Sequence, residues 1–498
     1  MIFNIKFSSA NDELKFKPYS GLVKFFIESN KLEKLFDDFF LNFNFSPGKV
    51  QRNNFLDKKS NEMVYFSQTD EPSVIFIKKF TIDKKFTSDS FRNYFAGLIP
   101  SLTRKKLNEI HIVVPSFFDY KDSFENEKHL LQSILEGIQL GNYTFHKYKA
   151  EKEKVEILNI ILHYTDQKIL NDAINSASKI MSAVFLTRDL VNEPAITLTP
   201  GELANRTKKE FTKLGVKVSV FDKKELQKRK MNAILAVGGA SANPPCLIAM
   251  HYKPKVKTKI KIALVGKGVC YDSGGLSIKP TSSMEEMKGD MAGGAAVVGI
   301  IKAAAELKLQ IEIIGVIPAV ENMVGGSSYK PGDIIIAASG KSIEVKDTDA
   351  EGRIILADAL HYASQQKPDE IIDFATLTGA CCVALGLIAA GLFTNDDRLA
   401  DDLLKSGNQT FERLWRLPFW NDYNEMIKSE LADVNNLGPR WGGAITAGKF
   451  LEHFVDEKIP WAHIDIAGPA FKHKLNNYTE KYDTGFGVRL MIDYLSKK

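Results

Sequence analysis

Between Gln167 and Val191 the apolar residues Ile169, Leu170, Ile174, Ala177, Ile180, Met181 and Val184 recur at helical spacing, which predicts a long connecting helix ending before Asn192-Glu193-Pro194. Upstream, residues 1–165 are rich in Phe, Lys and Asn, and set short apolar runs such as Ser73–Ile77 and Ile110–Val114 beside helix-like stretches. That texture predicts a small α/β domain. Downstream, strand-like runs at Lys217–Phe221, Ile260–Val265, Ile311–Ile317 and Glu370–Phe374 alternate with helical stretches at 200–214, 291–308 and 353–366. Thr199-Pro200 is a helix start, with a capping hydroxyl and a proline in the first turn. Strands separated by helices imply βαβ units and a mainly parallel sheet buried on both faces. The expected class is α/β: a smaller N-terminal α/β domain at 1–165, a connecting helix at 166–192, and a larger C-terminal α/β domain at 193–498 with a mainly parallel central sheet flanked by helices.

A chain of 498 residues exceeds one ordinary hydrophobic core, in keeping with that division. Hydrophobic content of 44% with 26% charged residues excludes disorder and a fibrous architecture. A net charge of +5 gives no electrostatic argument for a nucleic-acid partner, and the basic clusters Lys223, Lys224 and Lys228 to Lys230 read as a solvated helix face. Four cysteines, at 246, 270, 381 and 382, form no C-x-x-C pair and no disulfide framework, which fits a reducing compartment. Met1–Phe16 lacks the pattern of a secretory leader, and the longest apolar run, Ala380–Phe393, is 14 residues, too short to span a bilayer. The expected location is the cytoplasm, with no membrane partner.

Unusual polar residues follow directly on apolar strands, where parallel sheets collect ligands. Ile262–Val265 runs into Gly266-Lys267-Gly268-Val269-Cys270-Tyr271-Asp272-Ser273-Gly274-Gly275, whose glycines allow tight turns and close approach. Segment 267–290 holds Lys267, Asp272, Lys279 and Asp290; segment 347–353 holds Asp347, Asp349, Glu351 and Arg353. Alone, Asp272-Ser273-Gly274-Gly275 is an ordinary turn, and Asp349 with Glu351 an acidic first helical turn. If both segments leave neighbouring strands, four carboxylates repel one another unless cations neutralise them, and two divalent ions balance four charges. Oxygen-rich sites suit Mg²⁺ or Mn²⁺, and Zn²⁺ where the geometry is open. The phosphate loop G-x-x-x-x-G-K-[ST], the zinc motif H-E-x-x-H and the serine elbow G-x-S-x-G are all absent. His463 reads as a satisfied core or interface histidine.

The stretches VGKGVCYDSGGLSIKP (265–280), MKGDMAGGAA (287–296) and DTDAEGRIILADAL (347–360) resemble the leucine-aminopeptidase, or cytosol-aminopeptidase, family in order and spacing. LVNEPAITLTP (190–200), DFATLTGAC (373–381), GGAITAGKFL (442–451), WAHIDIAGPAF (461–471) and TGFGVRLM (484–491) support the resemblance, which covers Leu190 to the C-terminus and makes the larger domain the catalytic one. It implies one metal on Asp272, Asp349 and Glu351 and a second on Lys267, Asp272, Asp290 and Glu351, with Mn²⁺ or Zn²⁺ first and Mg²⁺ or Co²⁺ as alternatives. It further implies that Lys279 donates to a developing oxyanion and that Arg353 holds a bicarbonate ion. Met287, Thr376, Leu377 and Gly379, with Lys279 and Asp290, match positions at the substrate. Asp347 departs from the family's usual Asn, and Cys270-Tyr271 from a commoner Thr-Phe pair.

The resemblance thus implies a metallo-aminopeptidase that removes leucine and other residues from peptides with a free N-terminus, assembled as a homohexamer. A second reading is a DNA-binding or regulatory protein on the same scaffold, since some family members do both. A binding module tolerates loss of Lys279 and Arg353; their retention with all five ligands favours an enzyme over that reading and over a relative with a dead site.

Overall fold

The computed structural model describes residues 2–10, 19–41, 47–57, 59–66, 74–151, 154–256, 258 and 260–498. The chain forms two compact units, residues 1–181 with 476–478, and 182–475 with 479–498. Of the segment read for a leader, Met1 and residues 11–16 lie outside the described residues, as does Ser73.

The first unit is built on a six-stranded sheet of β1 (Ile2–Ala10), β2 (Ser20–Ile27), β3 (Glu62–Phe66), β4 (Val74–Phe80), β5 (Glu109–Val113) and β6 (Val155–His163), in the order β1-β6-β5-β2-β4-β3. All its pairings are parallel except β3–β4. The phenylalanines of the sequence pack as an aromatic cluster, with Phe25, Phe80, Phe86, Phe91 and Tyr120 in edge and tilted contacts. The helices Asp89–Arg104 and Glu127–Asn142 pack closely, because a Cβ on Gly137 or Gly141 would fall within 2.4–2.5 Å of the Arg92 or Ala96 backbone.

The second unit carries β7 (Lys217–Phe221), β8 (Cys246–Tyr252), β9 (Lys261–Gly266), β10 (Gly268–Asp272), β11 (Glu312–Asn322), β12 (Ile334–Ile336), β13 (Ser342–Glu344), β14 (Glu370–Ala375), β15 (Ala390–Thr394), β16 (Leu414–Arg416), β17 (Val434–Asn435) and β18 (Trp461–Asp465). Nine form one sheet, β16-β15-β18-β14-β9-β11-β8-β7 with β10 added beside β11; β12, β13 and β17 form a small second sheet. The centre, β18-β14-β9-β11 with β10, is parallel; β8 and β15 join it antiparallel, and β7 pairs antiparallel with β8. Ile262 to Val265 are fully buried, as an apolar run covered on both faces requires. Ala263 and Val265 pack with the helix Glu351–Gln365, and the alternate Ile262 and Leu264 point to the opposite face. The class expected from the sequence, α/β with a mainly parallel central sheet, is the one observed.

The helix at Gln167–Asn192 runs one residue past its expected end. Pro200–Phe211 starts as the sequence indicates, with the Thr199 hydroxyl accepting from Glu202 N at 3.3 Å. Lys223, Lys224 and residues 228–230 are exposed on and just after a short helix. The apolar run Ala380–Phe393 divides into the end of a helix, Gly379–Leu385, and the start of β15. No helix among the described residues is long and apolar enough to cross a membrane.

Candidate metal centre

Because β9, β10, β11, β14 and β18 run parallel, their carboxyl ends open on one edge of the sheet. Lys267 occupies the step between β9 and β10, its N–H donating to Phe374 O at 2.9 Å and its carbonyl accepting from Gly294 N at 2.7 Å. Asp272 closes β10, Asp290 precedes the helix Ala292–Leu307, and Glu351 opens the helix Glu351–Gln365. Ligand atoms of Asp272, Asp290 and Glu351 all lie within 4.8 Å of one another, and all three side chains are buried. Asp290 and Glu351 thus stand at two helix N-termini, where the helix dipole favours negative charge. Gly352 has a steric reason to be glycine: a Cβ there would lie 2.5 Å from Lys267 Cε and 2.7 Å from Nζ.

Lysine ammonium groups stand among these carboxylates. Lys267 Nζ is 2.8 Å from both oxygens of Asp290 and 2.9 Å from Glu351 Oε1. Lys279 Nζ is 2.9 Å from Asp272 Oδ2 and also contacts Asp349 Oδ1. Burial works against the Lys267 ammonium, but Asp290, Glu351 and Asp272 outweigh it and hold its pKa above the ordinary value; Lys279 is raised in the same way by Asp272 and Glu351. Burial, reinforced by neighbouring carboxylates, raises Asp290, Glu351 and Asp349. Negative charge is crowded here beyond what two ammonium groups satisfy. Among the described residues Glu351 Oε2 is buried without a hydrogen-bond donor, and Asp290 Oδ2, although near Nζ, lies off the donor direction. Spare buried carboxylate oxygens and one amine are a donor set that fits divalent cations.

The other residues expected at the site fall around this cluster to different degrees. Thr376 is buried, its hydroxyl donating to Asp290 Oδ1 at 2.8 Å and its carbonyl accepting from Lys267 Nζ at 3.1 Å. Leu377 is half-buried with its N–H on Asp465 Oδ1 at 3.1 Å, and the carbonyl of half-buried Met287 accepts from Asp290 N at 3.4 Å. Gly379 is exposed at a helix start, and a Cβ there would meet nothing within 4 Å. Arg353 is buried and donates from Nη1 to Asn436 O at 2.9 Å, while its buried Nε has no partner among the described residues. Burial lowers its pKa to about 10, so it stays cationic at neutral pH. Asp347 accepts from Asp349 N at 2.9 Å, a bond that an asparagine oxygen also makes, so this departure from the family pattern keeps the turn. Cys270 is buried, and burial raises its thiol pKa well above the ordinary value. His463 lies in the core as expected, with Nδ1 on Asp373 Oδ1 at 2.6 Å; unlike a fully satisfied histidine, it leaves buried Nε2 without a partner among the described residues.

Sequence reasoning passed over the residues that brace the ligand segments. The Asn436 side chain binds the backbone of Lys346 and Asp347, and its backbone carbonyl accepts from the Arg353 guanidinium. Asp465 accepts from Leu377 N, Ala467 N and the Thr378 hydroxyl. Asn322 and Tyr329 both donate to the Thr348 carbonyl, at 2.9 and 2.7 Å. One signal was present: Asp465 stands at the carboxyl end of an apolar strand, as Asp272 does.

A model of the cytosol aminopeptidase family's catalytic domain matches residues 185–492. A probable cytosol aminopeptidase of Aquifex aeolicus is 45% identical over 417 residues, 83% of each chain. One of Persephonella marina is 49% identical over 375 residues, 74% of this chain and 75% of that one. A solved mutant of tomato leucine aminopeptidase superposes with a TM-score of 0.86 at 32% identity, covering 100% of this chain and 97% of that one. The bottromycin maturation enzyme BotP in complex with Mn gives 0.82 at 30% identity, with 96% and 98% covered.

Proposed function

The chain belongs to the cytosol aminopeptidase family and is a metal-dependent aminopeptidase; from that premise we propose that Lys267, Asp272, Asp290, Asp349 and Glu351 would hold two divalent cations. The observation that carries this reading is the buried convergence of Asp272, Asp290 and Glu351, with carboxylate oxygens that no donor satisfies among the described residues. Mn²⁺ and Zn²⁺ suit the set best, with Mg²⁺ and Co²⁺ as alternatives. When bound, such cations polarise a carbonyl and make water a nucleophile at neutral pH.

The chain's own groups do the rest. Lys267 would serve as a neutral amine ligand, its proton released to solvent when a cation binds, because a cation cannot share the position its ammonium holds. Freed from Asp272 and Asp349, the Lys279 ammonium donates to the substrate oxygen as negative charge develops on it. Arg353 would hold a bicarbonate, which would supply a proton carrier between water and the leaving amine; its buried Nε, without a partner among the described residues, supports this role. Met287, Thr376, Leu377 and Gly379 line the substrate, whose free amine lies at the Lys267 and Asp290 side. The products are leucine and other N-terminal residues, the assembly is a homohexamer, and the compartment is the cytoplasm.

The test is the rate on leucyl amide beside N-acetyl-leucyl amide with Mn²⁺ present. Cleavage of the free-amine compound alone is expected, and equal rates on both refute an exopeptidase that reads the amine.

A further inference from the structure

Asn322 ends β11 and is fully buried. Its side-chain Nδ2 donates to Asp272 Oδ1 at 2.8 Å and to Thr348 O at 2.9 Å. Its backbone carbonyl accepts from Ser273 N at 3.0 Å and from Ser273 Oγ at 2.8 Å. One residue therefore joins the segment bearing Asp272 to the segment bearing Asp349 and Glu351. The amide can point only one way, since carboxylate and carbonyl oxygens are acceptors and a flipped amide would set Oδ1 against both. Oδ1 is left without a donor among the described residues, and Gly275 makes room for it: a Cβ there, at φ +63, would come within 2.9 Å.

Asp272 Oδ1 also accepts from Gly274 N at 2.8 Å. With two donors on Oδ1, the oxygen turned toward the cluster is Oδ2, 2.9 Å from Lys279 Nζ. A neutral donor here orients the carboxylate without adding charge beside it, as hydrogen-bonding partners of metal ligands commonly do.

Resting on the metal reading above, we propose that Asn322 is a positioning residue for the metal centre: it fixes which oxygen of Asp272 faces the cations and holds the two ligand segments at one spacing. An aspartate of the same size cannot do this, because it offers only acceptors to two acceptors.

The experiment measures Mn²⁺ binding to the chelator-stripped full-length protein, following free Mn²⁺ by electron paramagnetic resonance, with circular dichroism of each metal-free variant. Asn322→Ala and Asn322→Asp are expected to raise the Kd about 10- to 100-fold. Tyr329→Phe removes the other side-chain donor to Thr348 O without touching Asp272, and is expected to change the Kd by no more than about fivefold, the worth of one neutral hydrogen bond. The proposal is overturned if the Asn322 variants bind Mn²⁺ like the parent. Equal weakening by Tyr329→Phe overturns it in favour of general loop support, and failure of both Asn322 variants to fold without metal makes Asn322 a structural tie. A parent protein that takes up no Mn²⁺ instead overturns the metal reading, and this proposal with it.

Discussion

Two lysines of the same type stand in the same carboxylate cluster, yet their surroundings give them different work. Lys267 is enclosed by Asp290, Glu351 and the Thr376 carbonyl, whereas Lys279 reaches in from a partly open loop to Asp272 and Asp349. Lys267→Ala is expected to weaken one metal site, so that extra Mn²⁺ restores part of the activity. Lys279→Ala is expected to keep both metals and lose about 100- to 1,000-fold in kcat, as loss of one oxyanion donor does. Elemental analysis and the rate against Mn²⁺ concentration distinguish them; metal rescue of Lys279→Ala, or tight binding of two ions by Lys267→Ala, reverses the assignment. At this scale the chemistry-bearing residues were legible because their types and spacing are unusual. Asn322 was not, because Pro318 ends the apparent strand at Ile317. In the fold β11 continues through Pro318, where its parallel partner changes from β9, ending at Val265–Val316, to β10, beginning at Gly268–Ala319. The missing N–H falls at that junction.

The helix Glu351–Gln365 carries Glu351 and Arg353 at its start and the fully buried Asp358 two turns on. Asp358 accepts from Ala338 N at 2.7 Å and Ile234 N at 3.1 Å, which ties the helix to two neighbouring segments. Burial pushes its pKa up to about 7, against the backbone N–H groups of Ala338, Ile234 and Ala233 that favour the anion. Between about pH 4 and 7 the unfolded carboxyl ionises while the buried one keeps its proton, so the native state binds more protons and this group's contribution falls as pH rises. Below that window both states are protonated, and above it both are ionised. Denaturant unfolding of the parent relative to Asp358→Asn should therefore show a stability difference that declines through the window, by up to about 4 kcal/mol. A difference that grows with pH means that the three amide donors outweigh burial. Long periodic helices were read to within a few residues of their ends. The sheet of β12, β13 and β17 escaped the sequence because its strands are only two or three residues long and show too little alternation to register.

Across the whole chain, the family's motifs and the buried carboxylate cluster lie in the second unit, while the first is a six-stranded sheet around an aromatic core. In the second unit Val383 is 90% exposed, and Trp441, Trp420 and Trp415 are 73%, 66% and 64% exposed. Large apolar groups left in solvent are what an assembly covers, so the proposed hexamer should sediment as one species of six chains. A dilute, fully active monomer argues against it.

The central claim is that turnover depends on cations held by the buried carboxylates, and it is tested most directly by titrating Mn²⁺ into chelator-stripped protein while following leucyl amide hydrolysis, with Glu351→Ala in parallel. The account expects no turnover in the stripped protein, recovery as Mn²⁺ is added to the parent, and none in Glu351→Ala over the same range. Full activity of the stripped protein, or recovery of Glu351→Ala at the parent's Mn²⁺ concentration, contradicts it.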